Sequence, residues 1–199
     1  MKKAEVAVLF GLILAIMVGS FVGFEADCRE ISQSVFRLHI LANSDSQEDQ
    51  DLKLKVRDRI LQDTQGLFES TGDLQQTEEQ VAQHLPEIRE IALDEIHKQG
   101  YSYDVQIYMV NMWFETRTYD TITLPAGNYD ALRIVIGNGE GHNWWCVLYP
   151  PLCVPAAEPQ ETMDDVLNQQ ELEVVNSDPK YEVRFAVLEW WEKLKQNME

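Results

Sequence analysis

Cationic charge is scarce in this chain. Lys and Arg number 16 against 34 Asp and Glu over 199 residues, a net charge of −18. A surface of that sign is repelled by phosphate backbones and anionic lipid headgroups, which argues against nucleic acid as a partner. The acidic residues are spread along the chain and form no acidic tail. Solubility explains them, with a basic partner surface as the sharper alternative. Cysteine and histidine are also few, at three and four. No GxSxG, HExxH or aspartic-protease motif occurs, and no internal repeat. These absences leave no catalytic residue, metal site or cofactor to predict.

What is present begins at the N-terminus. Lys2 and Lys3 precede an apolar run from Val6 to Phe24, with Glu25 and Asp27 after it. As a helix the run is about 28 Å long, close to the hydrocarbon core of a bilayer. The flanking charges orient the rest of the chain outside the cytoplasm. Residues 1–27 therefore read as a signal peptide, with Val18-Gly19-Ser20 as a cleavage site, or as a membrane anchor through Val6 to Phe24. Residues 28–199 are expected to form a single domain. Cys28 has no evident use.

Residues 35–42 alternate as a strand, and Asn43 to Ser46 then offer four good N-cap residues. Asn43-Ser44-Asp45 could place a carboxylate in a site, but helix capping explains the same residues. A helix over 47–62 follows, with Ser46 and Asp49, or Ser44 and Gln47, as a capping box. Thr77 with Gln80 predicts the start of a second helix ending at Gly100, kinked or split by Pro86. Period-two alternation then begins at Tyr101 and recurs over 130–136 and 143–149, separated by short turns. That pattern predicts an antiparallel meander. Residues 154–179 are acidic and proline-containing, and read as a mobile loop with a short helix near 163–168. A last helix spans 180–196, and its stripe of Val183, Val187, Trp190, Trp191 and Leu194 reads as core packing. The expected class is α+β, with a mostly antiparallel sheet and helices packed largely on one face.

The segment from Gly137 to Cys153, GNGEGHNWWCVLYPPLC, is the most unusual in the chain. Its glycines do not form a phosphate loop, because no Lys-Ser/Thr follows and the next element is a strand. A tight turn with positive backbone angles explains them. His142 and Cys146 invite a nucleophilic pair, but four residues of strand separate them by about 13 Å. Zinc on His142, Cys146 and Cys153 lacks a fourth ligand. Cys146 and Cys153 suit a small disulfide loop, or act as buried small hydrophobes. Trp144 and Trp145 point to opposite faces: either one enters the core and the other is free for contact, or both are covered by the helices. A partner-binding surface is therefore expected at Gly139, Gly141, His142, Asn143, Trp144 and Trp145.

Two segments also carry a resemblance. RLHILANSDSQEDQDLKLKVRD (37–58) and LPAGNYDALRIVIGNGEGHNWWCVLYPPLC (124–153) resemble the stage II sporulation protein R family, and the C-terminal VRFAVLEWW is similar too. The resemblance implies a protein exported from the forespore into the space between the two sporulation membranes. There it would activate a membrane-embedded aspartic protease of the mother cell, which cleaves pro-sigma-E. On that reading the chain is a signal and not itself an enzyme. The rival readings are an exported thiol hydrolase using Cys146, and a peptidoglycan-binding protein.

Overall fold

The computed structural model describes residues 3–64, 73–119, 122–150, 152, 163–176 and 179–196. They fall into two compact units, one of residues 1–32, 113–127 and 167–199, the other of residues 33–112 and 128–166.

In the first unit, helix α1 runs from Lys3 to Gln33. It is the one described helix long and apolar enough to cross a membrane, and its apolar window is not buried. The helix does not stop where the apolar run stops. Its last three turns bury Phe24, Cys28 and Ile31, and Phe24 packs on Phe185 with ring centroids 5.5 Å apart. A short hairpin of β3 (Arg117–Tyr119) and β4 (Ile122–Leu124) pairs antiparallel. Helix α5 (Gln169–Val175) lies against β4 and buries Val174 and Val175. It opens on a capping box, in which Asn168 accepts from the Glu171 N–H and Glu171 accepts from the Asn168 N–H. The one-turn helix α4 (Met163–Val166) belongs to the second unit. Part of the expected mobile loop is thus regular helix, and residues 153–162 and 177–178 lie outside the described residues.

Helix α6 (Pro179–Gln196) completes the first unit. Its outcome corrects the core stripe expected there. Phe185 and Leu188 are buried, whereas Val187, Trp190 and Trp191 are exposed and Leu194 is half-buried. The Val183 side chain lies outside the described residues. The periodicity was real, but a helix with apolar residues on two sides gives no sign of which side turns inward.

The second unit is built on a four-stranded sheet in the order β2-β5-β1-β6, from β1 (Phe36–Leu41), β2 (Val105–Phe114), β5 (Gly127–Ile136) and β6 (Asn143–Tyr149). The sheet is mixed, which corrects the mostly antiparallel meander. β1 pairs parallel with β5 and antiparallel with β6, so it separates two strands that are consecutive in sequence. The burial of β1 matches this central place. β1 is buried along Phe36 to Ile40 on both faces, and such a strand belongs in the middle of a sheet.

Helices α2 (Gln47–Asp63) and α3 (Leu74–Lys98) pack together, and the core joins them to one sheet face. Phe36, Leu38, Ile40, Leu132, Ile134 and Leu148 meet Leu52, Val56, Ile60, Val81, Ile88, Ala92 and Ile96. Ser46 caps α2 by accepting from the Asp49 N–H at 3.2 Å. The α3 cap is Asp73, not the expected Thr77, because Asp73 lies one turn earlier and accepts from Gln75. Thr77 sits inside the helix and donates back to the Asp73 carbonyl. Pro86 is also inside, and α3 runs through it as one element.

Candidate functional site

β1 and β5 are parallel neighbours, so their C-terminal ends lie at the same edge of the sheet. Two loops leave from that edge. One is 42–46, leading into α2. The other is the glycine turn 137–142, leading into β6. Backbone bonds stitch them together. The Gly141 N–H donates to the Ala42 carbonyl at 3.0 Å, and Glu140 donates to the Asn43 carbonyl at 3.2 Å. The Asn138 N–H donates to Asn43 Oδ1 at 3.0 Å. On the other side Gly137 donates to the Asp104 carbonyl at 2.8 Å.

The glycines make this approach possible. Gly137 and Gly139 have φ of 58° and 67°, the left-handed region expected of the turn. Gly141 answers a different need. A Cβ there would lie 2.1 Å from the Ser44 carbonyl oxygen, so the two backbones touch where a side chain would stand. Gly139 and Gly141 thus shape the surface.

Side chains then lock the second loop to α2. His142 donates its N–H to Asp45 Oδ1 at 2.6 Å, and its Nδ1 meets the same oxygen. The His142 hydrogen bond is the first cause that holds the Asp45 carboxyl below its usual range. Lys53 is buried and donates to the His142 carbonyl at 2.8 Å and to Gln50 Oε1 at 2.6 Å. Burial pulls the Lys53 pKa down, with Asp45 nearby opposing it. Beneath them, buried Asp49 accepts from Asn43 Nδ2 at 2.8 Å and from Ser44 Oγ at 2.6 Å, and also from Tyr103. Burial pushes the Asp49 carboxyl up, but those hydrogen bonds outweigh it and keep it below the ordinary value.

The remaining predicted residues leave the loop along β6. Asn143 is exposed, and its Oδ1 lies 3.0 Å from His39 Nε2. Trp144 and Trp145 do face opposite sides, paired with Ile40 and His39 respectively. Neither is fully in the core or fully free, because both are half-buried. Trp144 packs on the helix-side core under the Arg57 guanidinium, 4.2 Å from its ring centroid. Trp145 stacks on His39. Cys146 is buried and disulfide-bonded, and Cys28 is free and buried. Cys153 lies outside the described residues. No cluster that could hold a metal ion occurs among the described residues.

The structure therefore brings Gly139, Gly141, His142 and Asn143 to one edge and adds residues that sequence reasoning did not assign to it. Asn43 and Asp45 belong to the same edge, with buried Asp49 and Lys53 supporting it from below. In the sequence Asn43, Asp45 and Asp49 read as capping chemistry, although it is Ser46 that caps α2, and Lys53 carries no local signal.

Fold and loop together define an α+β protein that presents one tightly fixed edge, with a helix of membrane-crossing length at its N-terminus. Comparison with known proteins makes this specific. A family model for stage II sporulation protein R matches residues 32–158. The chain is 34% identical over 162 residues to the stage II sporulation protein R of Bacillus subtilis (strain 168), covering 77% of this chain and 71% of that protein. The chain belongs to the stage II sporulation protein R family. No solved structure matches it.

Proposed function

We propose that this protein is an exported sporulation signal that activates a membrane-embedded aspartic protease of the mother cell, and so triggers cleavage of pro-sigma-E. Family membership supports a role in sporulation signalling. The observation that favours a ligand over an enzyme is the cross-bonded edge formed by 42–46 and 137–143. It is rigid and outward-facing, with His142 79% exposed. A surface with its loops already ordered binds a partner with little further entropy cost. Asn138, Glu140, His142 and Asn143 supply its exposed polar groups, with the half-buried Trp144 and Trp145 beside them. The disulfide at Cys146 counts against a thiol hydrolase, since a bridged sulfur is no thiolate. The N-terminal helix acts as the export signal and membrane anchor, directing the chain from the forespore into the intermembrane space.

The test is pro-sigma-E cleavage in a non-sporulating host that makes the membrane protease and exports this chain. Cleavage that requires the chain and survives Cys146→Ser, apart from a stability loss, supports the signal. Cleavage abolished in a folded, exported Cys146→Ser protein would return the thiol enzyme to consideration.

A further inference from the structure

Helix α6 has a second apolar side that the signalling surface does not use. Phe185 and Leu188 are 5% and 2% exposed and form its inward side. Val187, Trp190 and Trp191 are 43%, 63% and 38% exposed, and half-buried Leu194 continues the row. At 100° per residue these four positions fall within a sector of about 100°, on the side away from Phe185 and Leu188. Leaving a ring as large as indole in water forgoes roughly 2 kcal/mol of transfer energy. Trp190 carries most of that exposure, with Val187 and the partly covered Trp191 beside it in one uncharged row, and such a row marks a surface with an occupant.

The occupant follows from what α6 is fastened to. Arg184 Nη2 donates to Ser20 Oγ at 3.3 Å, and its guanidinium lies 5.7 Å from the centroid of the Phe24 ring. Phe185 packs on the same Phe24. Ser20 and Phe24 are the outer turns of the apolar run in α1, so Arg184 is held at the level where that run leaves the hydrocarbon. An Arg at that level lays its stem on apolar surface and its head among polar groups. Trp190 is six residues further along α6, about 9 Å. The headgroup layer on each side of a bilayer is about 5–8 Å thick. Starting from Ser20, itself about 6 Å inside the end of the run, Trp190 reaches that layer even if α6 points straight outward. Indole rings concentrate there because they are apolar with one N–H donor.

We propose that α6 lies in the headgroup layer of the membrane that α1 crosses, with Val187, Trp190 and Trp191 facing lipid. This rests on the reading of α1 as a retained anchor. It gives the first unit a second attachment to that bilayer, besides α1. A zwitterionic headgroup suits it, since a chain of net charge −18 is repelled by anionic lipid.

The full chain, reconstituted into phosphatidylcholine vesicles with and without brominated acyl chains, tests both layers of the argument. Flotation reports the anchor, and quenching of tryptophan emission by bromine reports the seat. The expected result is that the protein floats with the vesicles and its emission is quenched. Replacing Trp190 and Trp191 together with Phe should remove at least half of that quenching, while the Trp144→Phe and Trp145→Phe pair should keep it. A chain that fails to float overturns the anchor, and this inference with it. A chain that floats but is not quenched, or is quenched equally without Trp190 and Trp191, overturns the seat alone. In that case crosslinking into dimers through α6 would assign the row to a second copy of the chain.

Discussion

His39 lies flat against Trp145, with ring centroids 4.0 Å apart and planes 5° from parallel. The pair sits on the sheet face away from α2 and α3, next to Arg37, which is itself fully buried over the Tyr129 ring at 4.8 Å. Burial lowers the His39 pKa to about 4, opposed by its hydrogen bond with Asn143 and reinforced by Arg133 and Arg37. The imidazole is therefore neutral in the folded protein at pH 7.

The stability consequence has a definite sign. Between the unfolded value near 6.5 and the folded value near 4, the unfolded chain binds the proton and the folded chain does not. Stability from this group is complete above pH 6.5 and falls as the pH drops toward 4. The full loss is on the order of 3 kcal/mol, with about 2 kcal/mol gone by pH 5. Denaturant unfolding of the full chain in mild detergent at pH 7.5 and 5 should show that decrement. His39→Gln, which keeps a hydrogen-bonding group toward Asn143, should show it reduced to the part due to carboxylates. An equal decrement in both proteins would remove His39 from the account.

Gly141 and Gly100 separate two reasons for glycine. At Gly100 the φ of 85° alone disfavours a side chain, and nothing lies within 4 Å of an added Cβ. At Gly141 the obstacle is backbone, the Ser44 carbonyl. Gly100→Ala should therefore cost about 1 kcal/mol. Gly141→Ala should cost at least 2 kcal/mol, at roughly the level of other clashes that force a backbone shift. Urea titrations of the two variants decide the order. A Gly141 variant as stable as the wild type would mean that the two loops part without loss.

Several local elements were legible in the sequence to within a residue or two, although α3 is capped four residues before the expected Thr77 and β2 begins at Val105 and not at Tyr101. The strand at 36–41 alternates, Ser46 precedes the helix at 47, and the positive-φ turn at Gly137 and Gly139 announces itself by composition. What was not legible depends on residues far apart in the chain. The parallel pairing of β1 with β5 joins Leu38 to Leu132, and no period within either strand encodes which neighbour it takes. Asp45 looked like one of several capping residues because its partner His142 is 97 residues away. The apolar row of α6 was found but turned the wrong way, since Phe185 and Leu188 claim the inside and pattern alone ranks neither side.

Asp49 is the buried hub of the candidate site. Its carboxylate gathers donors from Asn43, Ser44 and Tyr103 near the start of α2. Asp49→Ala leaves those donors without their acceptor and should destabilise by about 2–4 kcal/mol. Asp49→Asn keeps one acceptor oxygen and should lose less. Because the folded pKa is depressed, the ionised carboxylate contributes above the unfolded value near 3.8, and that contribution is lost as pH falls through the lower folded value. Thermal melting of both variants at neutral pH checks the ranking, and equal melting points would sink it.

His142 distinguishes a contact surface from a structural brace. Its imidazole is exposed, while its backbone N–H and carbonyl hold the loop through Asp45 and Lys53. Removing only the ring deletes an exposed pair worth about 0–1 kcal/mol and leaves both backbone bonds in place. His142→Ala should thus unfold within about 1 kcal/mol of the wild type. If this edge meets the protease, pro-sigma-E cleavage should nevertheless fall by roughly tenfold, as loss of about 1.4 kcal/mol of contact energy implies. Asp45→Ala should lower both cleavage and stability, because the His142 N–H loses its acceptor as well. Full cleavage by a folded His142→Ala, Asn143→Ala double variant would move the contact surface away from this edge, since those two side chains are its most exposed polar groups on the β6 side.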